Sequence, residues 1–468
     1  MKLGRSIGDF TVKLPVVGSV ARDLQDRARR LHRRGPHRRS PVEAAPKSLA
    51  TALLQALPGG EPAVPTVAEW LEKRWWAVQP LAFYPTPDAG PRLSIVTDSV
   101  DAASLFGGVG TALVLAALLA NRMGATLRLI TRNDPPDTSA VARVLGANGV
   151  TLETPLEAVF APVHGGRELP VADNDYFLST SWWTTRALLS SVRRNRLAYL
   201  LQEDERMFYP HGDDRVRCGQ TMAEPGLMIV VNSRLLFDHL AEGPEPIPGL
   251  ADTGGWFEPA FPAAGHMLRQ PDGSGRRNLF FYARPHNLRN LFNTGIEALA
   301  AAIAAGTLHP AEWTIHLVGK DVPDLIFPRG VRPRRVEGLS WTDYHSLVAS
   351  MDAGLVLMDT PHPSYPPLDL AAHGAAVLTN VHGFKTDLSG YSQNILLEQP
   401  DMPSLARGIE RMVALARDPA TRAANLRADR ISRDWTRSLG TVVDRLADHL
   451  TADTQSCVTT HERLSRSA

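Results

Sequence analysis

The sequence is poor in cysteine, lacks long apolar runs and carries almost no net charge. Its two cysteines, Cys218 and Cys457, lie far apart and form no C-x-x-C pair, which excludes a disulfide framework and suits a reducing cytosol. No apolar run reaches the roughly 18 residues that a membrane-spanning helix needs. A net charge of +1 over 468 residues argues against a protein dedicated to nucleic acid. These absences predict a cytoplasmic globular protein.

Arginine is concentrated near the N-terminus, where eight arginines fall between Arg22 and Arg39. One interpretation is a solvated arm, and the other is peripheral contact with the anionic inner face of a membrane. The apolar run at 16–21 is too short for the core of a signal peptide. Short helical patterns follow, and 83–91 has the composition of a linker. Residues 1–90 are therefore predicted to form a basic, helical extension.

The rest of the chain alternates short buried strands with helices, which predicts an α/β protein. With 44% hydrophobic residues, 468 residues suffice for two domains and an appendage. A stretch rich in glycine, proline and polar residues separates them, which gives one domain over 91–265 and another over 266–430. A helical stretch, 431–450, and a tail, 451–468, complete the chain. We expect two Rossmann-like domains with parallel sheets.

A glycine-rich turn follows the first strand of the first domain. The strand is predicted at 93–97, the turn contains Gly107, Gly108 and Gly110, and a long apolar helix begins at Thr111. The G-G-x-G spacing differs from the dinucleotide fingerprint, and no acidic residue closes the next strand, so a nicotinamide site is excluded. The alternative is that the glycines only allow the helix and the strand to approach each other closely.

An acidic and aromatic segment, QEDERMFYP, follows the strand predicted at 197–201. Glu203 and Glu205 are the candidates for a carboxylate that accepts a proton from a substrate. The alternative is that both are loop charges in contact with water.

Two arginines, Arg284 and Arg289, follow the first strand of the second domain and precede a helix. Guanidinium groups clamp phosphate oxygens bidentately, and a helix N-terminus adds backbone donors, so this arrangement suits a diphosphate. A pair of surface arginines is the alternative. The next strand also ends in a loop, at Gly319 and Lys320.

A stretch crowded with prolines, PHPSYPPLD, follows an apolar run at 353–358 that is typical of a buried parallel strand. Because proline lacks an N–H, we expect the remaining backbone N–H groups of Ser364 and Tyr365 to face a ligand. A helix is predicted to begin near Leu368, with Asp369 in its first turn, where a carboxylate accepts hydrogen bonds from a ribose. Asp369 is alternatively only a helix N-terminal charge. Beyond the next strand, Lys385 is expected to be exposed rather than near the diphosphate.

These motifs carry a resemblance to a known family. The run HPSYPPLD, followed by AAHG and VLTN, resembles the WsaF-like rhamnosyltransferases of glycosyltransferase family 4, and LFGGVGTAL and QEDERMFYP are similar to further family segments. Arg284 and Arg289 match the pattern G-R-x(4)-K, with Ala283 and Arg289 replacing its Gly and Lys. The family's E-x(7)-E pattern is changed at both ends, because Pro361 and Asp369 stand in the two Glu positions.

The resemblance implies a GT-B glycosyltransferase with its glycine turn facing an interdomain cleft and a crossover helix at 431–450. It implies transfer of L-rhamnose from dTDP-rhamnose to a polysaccharide or lipid-linked acceptor, with retention and without a metal or other cofactor. Arg284 and Arg289 would stabilise the leaving diphosphate. The implied donor-binding residues are Arg284, Arg289, Gly319, Lys320, Glu337, Ser364, Tyr365 and Asp369. A non-catalytic nucleotide-sugar-binding scaffold and a GT-B epimerase are the alternatives.

Overall fold

A computed structural model describes residues 64–87, 90–100, 107–262, 264, 268 and 275–452. The arginine-rich arm, Cys457 and the predicted tail beyond residue 452 lie outside this range. The chain divides after Arg74 into two units. In the first unit, helix α1 (Val67–Arg74) begins with a capping box, because Thr66 and Glu69 each accept a hydrogen bond from the other's backbone N–H.

The second unit begins with a parallel sheet and its covering helices. Its strands are β1 (Ala82–Pro85), β2 (Arg92–Thr97), β3 (Thr126–Thr131), β4 (Leu156–Phe160), β5 (Glu168–Val171), β6 (Asp175–Ser179), β7 (Leu197–Leu201), β8 (Met228–Asn232) and β9 (Gly255–Phe257). The helices are α2 (Gly108–Met123), α3 (Thr138–Ala147), α4 (Trp182–Leu189), α5 (Asp213–Met222), α6 (Arg234–Glu242) and α7 (Leu250–Thr253). Within the described residues, the sheet has the order β4-β3-β2-β6-β7-β8-β9, and all neighbours are parallel.

The segment predicted as a linker at 83–91 is partly a strand. β1 pairs with β5 in a separate two-stranded parallel sheet. The ring of Phe83 packs edge-on against Phe177 of β6, with ring centroids 5.4 Å apart. The prediction was wrong because the prolines and glycine dominated the composition, whereas an aromatic side chain fixed the segment by tertiary packing.

A second parallel sheet follows, with the order β12-β11-β10-β13-β14-β15. Its strands are β10 (Arg277–Ala283), β11 (Trp313–Gly319), β12 (Arg334–Glu337), β13 (Ala353–Leu355), β14 (Ala376–Asn380) and β15 (Ile395–Glu398). The helices are α8 (Phe292–Ala305), α9 (Trp341–Ala349), α10 (Tyr365–Ala372), α11 (Met402–Ala416), α12 (Pro419–Ala428) and α13 (Trp435–Thr451). In both sheets the order reverses direction beside the first strand, and such switch points place ligands at the carboxyl ends of the strands.

The last helix, α13, joins the core of the first sheet rather than that of the second. Leu439, Val442 and Leu446 are buried with residues of α2. The indole Nε1 of Trp435 donates a hydrogen bond to Asn148 Oδ1 at 2.8 Å. The chain therefore returns to its first sheet after completing the second. Throughout the part that the structure describes, every helix is too short or too polar to cross a lipid bilayer.

Candidate functional site

The loops at the carboxyl ends of the two sheets contact each other, and one of these contacts is an ion pair. Arg289, beyond β10, donates from Nη1 to Glu203 Oε2, beyond β7, at 2.6 Å. Thr360 Oγ1, beyond β13, donates to the same carboxylate oxygen at 2.6 Å. Burial raises the pKa of Glu203, although the charge of Arg289 opposes that shift. The structure thus brings Glu203 and Arg289 together in one cleft.

Tyr365 connects the proline-rich loop to the first sheet. Its hydroxyl accepts a hydrogen bond from Asn232 Nδ2 at 2.6 Å and shares a second with the hydroxyl of Thr111. Burial raises the pKa of this hydroxyl to about 12, so it is protonated at neutral pH. The Tyr365 side chain therefore connects the two sheets.

The three glycines predicted to form a turn lie at the N-terminus of α2, which begins at Gly108 rather than at Thr111, so only Gly107 precedes the helix. Gly107 has φ +80°, and a Cβ built there would come within 3.7 Å of the Tyr365 ring. Gly108 accepts a hydrogen bond at its carbonyl from Gln202 Nε2 at 2.7 Å, whereas Gly110 is buried within α2. The N-terminus of α2 therefore lies against the helix that begins at Tyr365.

The proline-rich loop has a different backbone from the predicted one. Helix α10 begins at Tyr365 rather than Leu368, because its first turn tolerates prolines that lack an N–H. Ser364, with φ +71°, donates its N–H to His362 Nδ1 at 2.9 Å. The expectation that the Ser364 amide faces a ligand is therefore wrong. Its side-chain Oγ, however, is buried and has no hydrogen-bond partner.

Asp369 lies in the second turn of α10, so its predicted place in the first turn is wrong. Its Oδ1 lies 3.3 Å from His373 Nδ1 and 4.0 Å from His345 Nδ1 of α9. Burial lowers the pKa of His345. Burial also opposes the charge on His373, but hydrogen bonding to Asp369 outweighs this and raises the pKa of His373.

This His–Asp–His cluster was not expected from the sequence, which shows no group of metal ligands. Its candidate ligand atoms all lie within 4.8 Å of one another, as a metal site requires. The i, i+4 spacing of Asp369 and His373 was visible in the sequence. The approach of His345 depends on how α9 packs on α10, which no local pattern reveals.

Arg284 lies at the end of β10, and its Nε is buried without a hydrogen-bond partner. Its guanidinium carbon lies 5.6 Å from the centroid of the Tyr282 ring. At the neighbouring strand end, Lys320 donates its N–H to Ala283 O at 3.2 Å. A Cβ at Gly319 would come within 1.6 Å of the same oxygen, so this close approach of β10 and β11 requires glycine.

Two further predicted acids have partners that fix neighbouring backbone. Glu337 accepts from the Val322 N–H at 2.8 Å. Glu205 accepts from the N–H of Trp182, the first residue of α4, at 2.7 Å. Glu205 is 4% exposed, and burial raises its pKa to about 8. Of the two acids predicted as proton acceptors, Glu203 therefore lies beside the arginine of the cleft and Glu205 lies at a helix N-terminus.

Lys385 is fully buried, so the expectation of an exposed lysine is wrong. Its Nζ donates to Met358 O, just beyond β13, at 3.0 Å. Burial lowers its pKa to about 8, against the opposing charges of Glu203 and Asp359. The loop after β14 returns to the end of β13, where it buries Lys385. The polar composition of this loop did not predict that burial. Lys385 thus adds a cationic group near Glu203.

Two family models match the chain. The model described as the N-terminal domain of WsaF covers residues 92–234, and that of the WsaF C-terminal domain covers residues 277–410. The O-antigen biosynthesis protein RfbC of Myxococcus xanthus is 30% identical over 269 residues. This match covers 55% of the chain but 20% of RfbC, so the chain spans about a fifth of that relative's length.

Solved structures with the same architecture are distant in sequence. Anabaena HepE, in complex with UDP and glucose, superposes with a TM-score of 0.52 at 13% identity and covers 76% of this chain and 100% of its own. WaaG, a glycosyltransferase involved in lipopolysaccharide biosynthesis, gives a TM-score of 0.50 at 14% identity, with 77% and 100% covered.

The two parallel sheets, whose loops face one cleft, give the chain the architecture of the GT-B fold class, which it shares with HepE and WaaG. Within that class, the chain belongs to the WsaF family, since both domains of that family are matched in order.

Proposed function

We propose that the protein transfers a sugar, L-rhamnose from dTDP-rhamnose, to a polysaccharide or lipid-linked glycan with retention of configuration. The WsaF family models, the O-antigen relative and the UDP-bound HepE neighbour support a nucleotide-sugar donor and a surface-glycan product. The base, the sugar and the stereochemistry are proposed from the resemblance of the motifs.

One observation supports a ligand at this site more than any other. Four buried polar atoms without hydrogen-bond partners lie in the loops beyond β10 and β13: Arg284 Nε, Asn290 Oδ1, His362 Nε2 and Ser364 Oγ. Such atoms are rare in folded proteins, because each one costs about 1–3 kcal/mol when no partner replaces water. Their concentration at one sheet edge is explained if a bound donor supplies the missing partners.

Arg284 and Arg289 would hold the diphosphate of the donor. Negative charge develops on the departing diphosphate as the glycosidic bond breaks, and fixed cationic donors stabilise that charge by about 2–4 kcal/mol each. Lys385 adds positive charge nearby, so the proposal requires no metal ion. Arg289 is held in place by Glu203 and by the Phe208 ring, whose centroid lies 4.5 Å from its guanidinium carbon.

The acceptor hydroxyl would attack from the face that the leaving phosphate vacates, which explains retention without a covalent enzyme intermediate. Glu203 is the carboxylate proposed to take the acceptor's proton, because it lies in the cleft and its pKa is raised by burial. Contact between the two sheets through Tyr365 would keep water away from the donor and limit hydrolysis.

Two measurements test this function. A thermal-shift screen of nucleoside diphosphates and sugar nucleotides should give its largest shift with dTDP species, since a ligand at about 100 times its Kd adds about 2.7 kcal/mol. Radiolabelled dTDP-rhamnose with a membrane extract should then give labelled glycan. A preference for nicotinamide cofactors or phosphosugars would contradict the proposal.

One feature favours a second candidate, a non-catalytic scaffold that binds a nucleotide sugar. Pro361 stands where the family-4 pattern has its first Glu, so that carboxylate is missing. A scaffold would bind dTDP-rhamnose without turnover, and Arg284→Ala would then change affinity alone. Turnover by the wild-type protein that Arg284→Ala abolishes excludes this candidate.

A further inference from the structure

His362 in the proline-rich loop has a defined protonation state. It is 2% exposed, and its Nδ1 lies 2.9 Å from the backbone nitrogen of Ser364. A backbone N–H only donates, so Nδ1 must be the acceptor and carries no proton. An imidazolium has a proton on both nitrogens and could not accept this bond. The ring is therefore neutral, with its single N–H at Nε2.

The surroundings of the ring favour the same state. Burial, together with the charges of Lys385 and Arg289, lowers the pKa of His362 to about 3. The Ser364 N–H donates to the ring, and the flanking prolines, Pro361 and Pro363, restrict the backbone on both sides of His362. The loop thus fixes one tautomer and one orientation before any ligand binds.

The Nε2–H donor has no acceptor within the described residues. Nε2 is buried, and no oxygen, nitrogen or sulfur atom lies within hydrogen-bonding geometry of it. Its neighbours are the residues of the cleft: Thr360, two positions away, donates to Glu203, and the Tyr365 ring lies 5.9 Å from the imidazole. A buried donor of this kind indicates an acceptor that the chain itself does not provide.

The chemistry of the donor indicates which part of a nucleotide sugar it contacts. Phosphate oxygens are matched by guanidinium and ammonium groups, which Arg284, Arg289 and Lys385 supply. A neutral imidazole with a single N–H instead suits an uncharged oxygen, either a hydroxyl or a ring oxygen. We propose that His362 Nε2–H donates a hydrogen bond to an oxygen of the donor's glycosyl unit, which makes His362 a specificity-determining residue of the donor-sugar subsite. This inference rests on the proposed function.

The test uses two pairs of ligands, and the members of each pair differ only in the presence of the sugar. The affinities of dTDP and dTDP-rhamnose, and of UDP and UDP-glucose, are measured by calorimetry on the wild-type full chain and on His362→Asn. Asparagine Oδ1 takes the place of Nδ1 and still accepts from Ser364, but no atom replaces Nε2–H. We expect the affinity for the preferred nucleotide sugar to fall about tenfold and that for the free diphosphate to stay within about twofold.

His362→Gln is the conservative variant, because its side-chain amide nitrogen lies near the Nε2 position, and it should recover part of the lost affinity. His309→Asn is the matched control. His309 Nδ1 accepts from the Ala311 N–H in the same i to i+2 pattern, but His309 is exposed. Thermal unfolding of each variant establishes that it is folded.

The outcomes separate this inference from the function on which it rests. Loss of the sugar-dependent affinity alone supports it. The inference is overturned if the affinities for the diphosphate and the nucleotide sugar fall equally, or if neither changes. Either result leaves the proposed nucleotide site intact; a water molecule that accepts the hydrogen bond from Nε2–H would give the second. Failure of the wild-type protein to bind any nucleotide contradicts the proposed function, and this inference with it.

Discussion

Arg289 Nη1 and Glu203 Oε2 lie 2.6 Å apart, although the two residues follow strands of different sheets. In the proposed reaction, Arg289 would bind the diphosphate and Glu203 would accept the proton of the acceptor hydroxyl. The two side chains are 20% and 18% exposed, so the pair is only moderately screened by solvent. The ion pair thus links the group proposed to bind the leaving diphosphate with the group proposed to accept the proton. The first prediction concerns Glu203.

Glu203→Gln keeps the shape of the side chain but removes the charge and the basic oxygen. We expect the sugar-transfer rate to fall about 10²- to 10⁴-fold, the usual contribution of a general base. The affinity for dTDP should not fall, because Arg289 loses a competing anion. The transfer rate is measured with labelled donor, and the affinity for dTDP is measured by calorimetry. Unimpaired transfer would mean that Glu203 only orients Arg289.

Tyr365→Phe removes the hydroxyl that Thr111 and Asn232 contact. Both partners then lose a buried hydrogen bond, which should lower the free energy of unfolding by about 1–3 kcal/mol and raise KM for the donor. Denaturant unfolding and steady-state kinetics measure these effects. Tyr84→Phe is the control, since Tyr84 is exposed. Equal stability of both variants would show that the contact between the sheets is energetically unimportant.

Glu205 should make stability depend on pH. Its folded-state pKa of about 8 lies above the ordinary value of 4.5, so between these values the folded protein retains a proton that the unfolded chain has released. Stability therefore falls as pH rises through this window, by about 5 kcal/mol in total.

Glu205→Gln should flatten this dependence while still accepting the hydrogen bond from Trp182. The measurement is denaturant unfolding at several pH values from 5 to 8. Glu153→Gln changes an exposed acid and should leave the slope as it is in the wild type. An unchanged slope in Glu205→Gln would contradict the assigned burial effect.

A chelator should not reduce transfer if, as proposed, Arg284, Arg289 and Lys385 supply the positive charge at the diphosphate. The assay compares initial rates before and after dialysis against EDTA. The cluster of His345, Asp369 and His373 makes this a meaningful test, since its geometry permits a metal. Loss of activity that zinc or magnesium restores would show that the reaction depends on a metal.

The sequence was most informative where charged residues directly follow a predicted strand. Arg284 and Arg289 were predicted from their place after a strand, and the interruption of apolar runs located most strands of both sheets. The start of α10 was missed because its prolines were interpreted as part of a turn, although proline fits the first turn of a helix, where the missing N–H would have no partner within the helix. Lys385 and His345 were missed because their burial depends on loops and helices that meet only in the folded chain.

The central claim is that Arg284 and Arg289 hold a nucleoside diphosphate at the edge of the second sheet. Calorimetric titration of dTDP into wild-type protein and into Arg284→Ala/Arg289→Ala tests it most directly, with Arg143→Ala as a control in an exposed ion pair. We predict that the double variant binds at least about 100-fold more weakly, since charge-assisted hydrogen bonds contribute about 1.5–3 kcal/mol each. Binding of dTDP with wild-type affinity by the double variant would contradict the account.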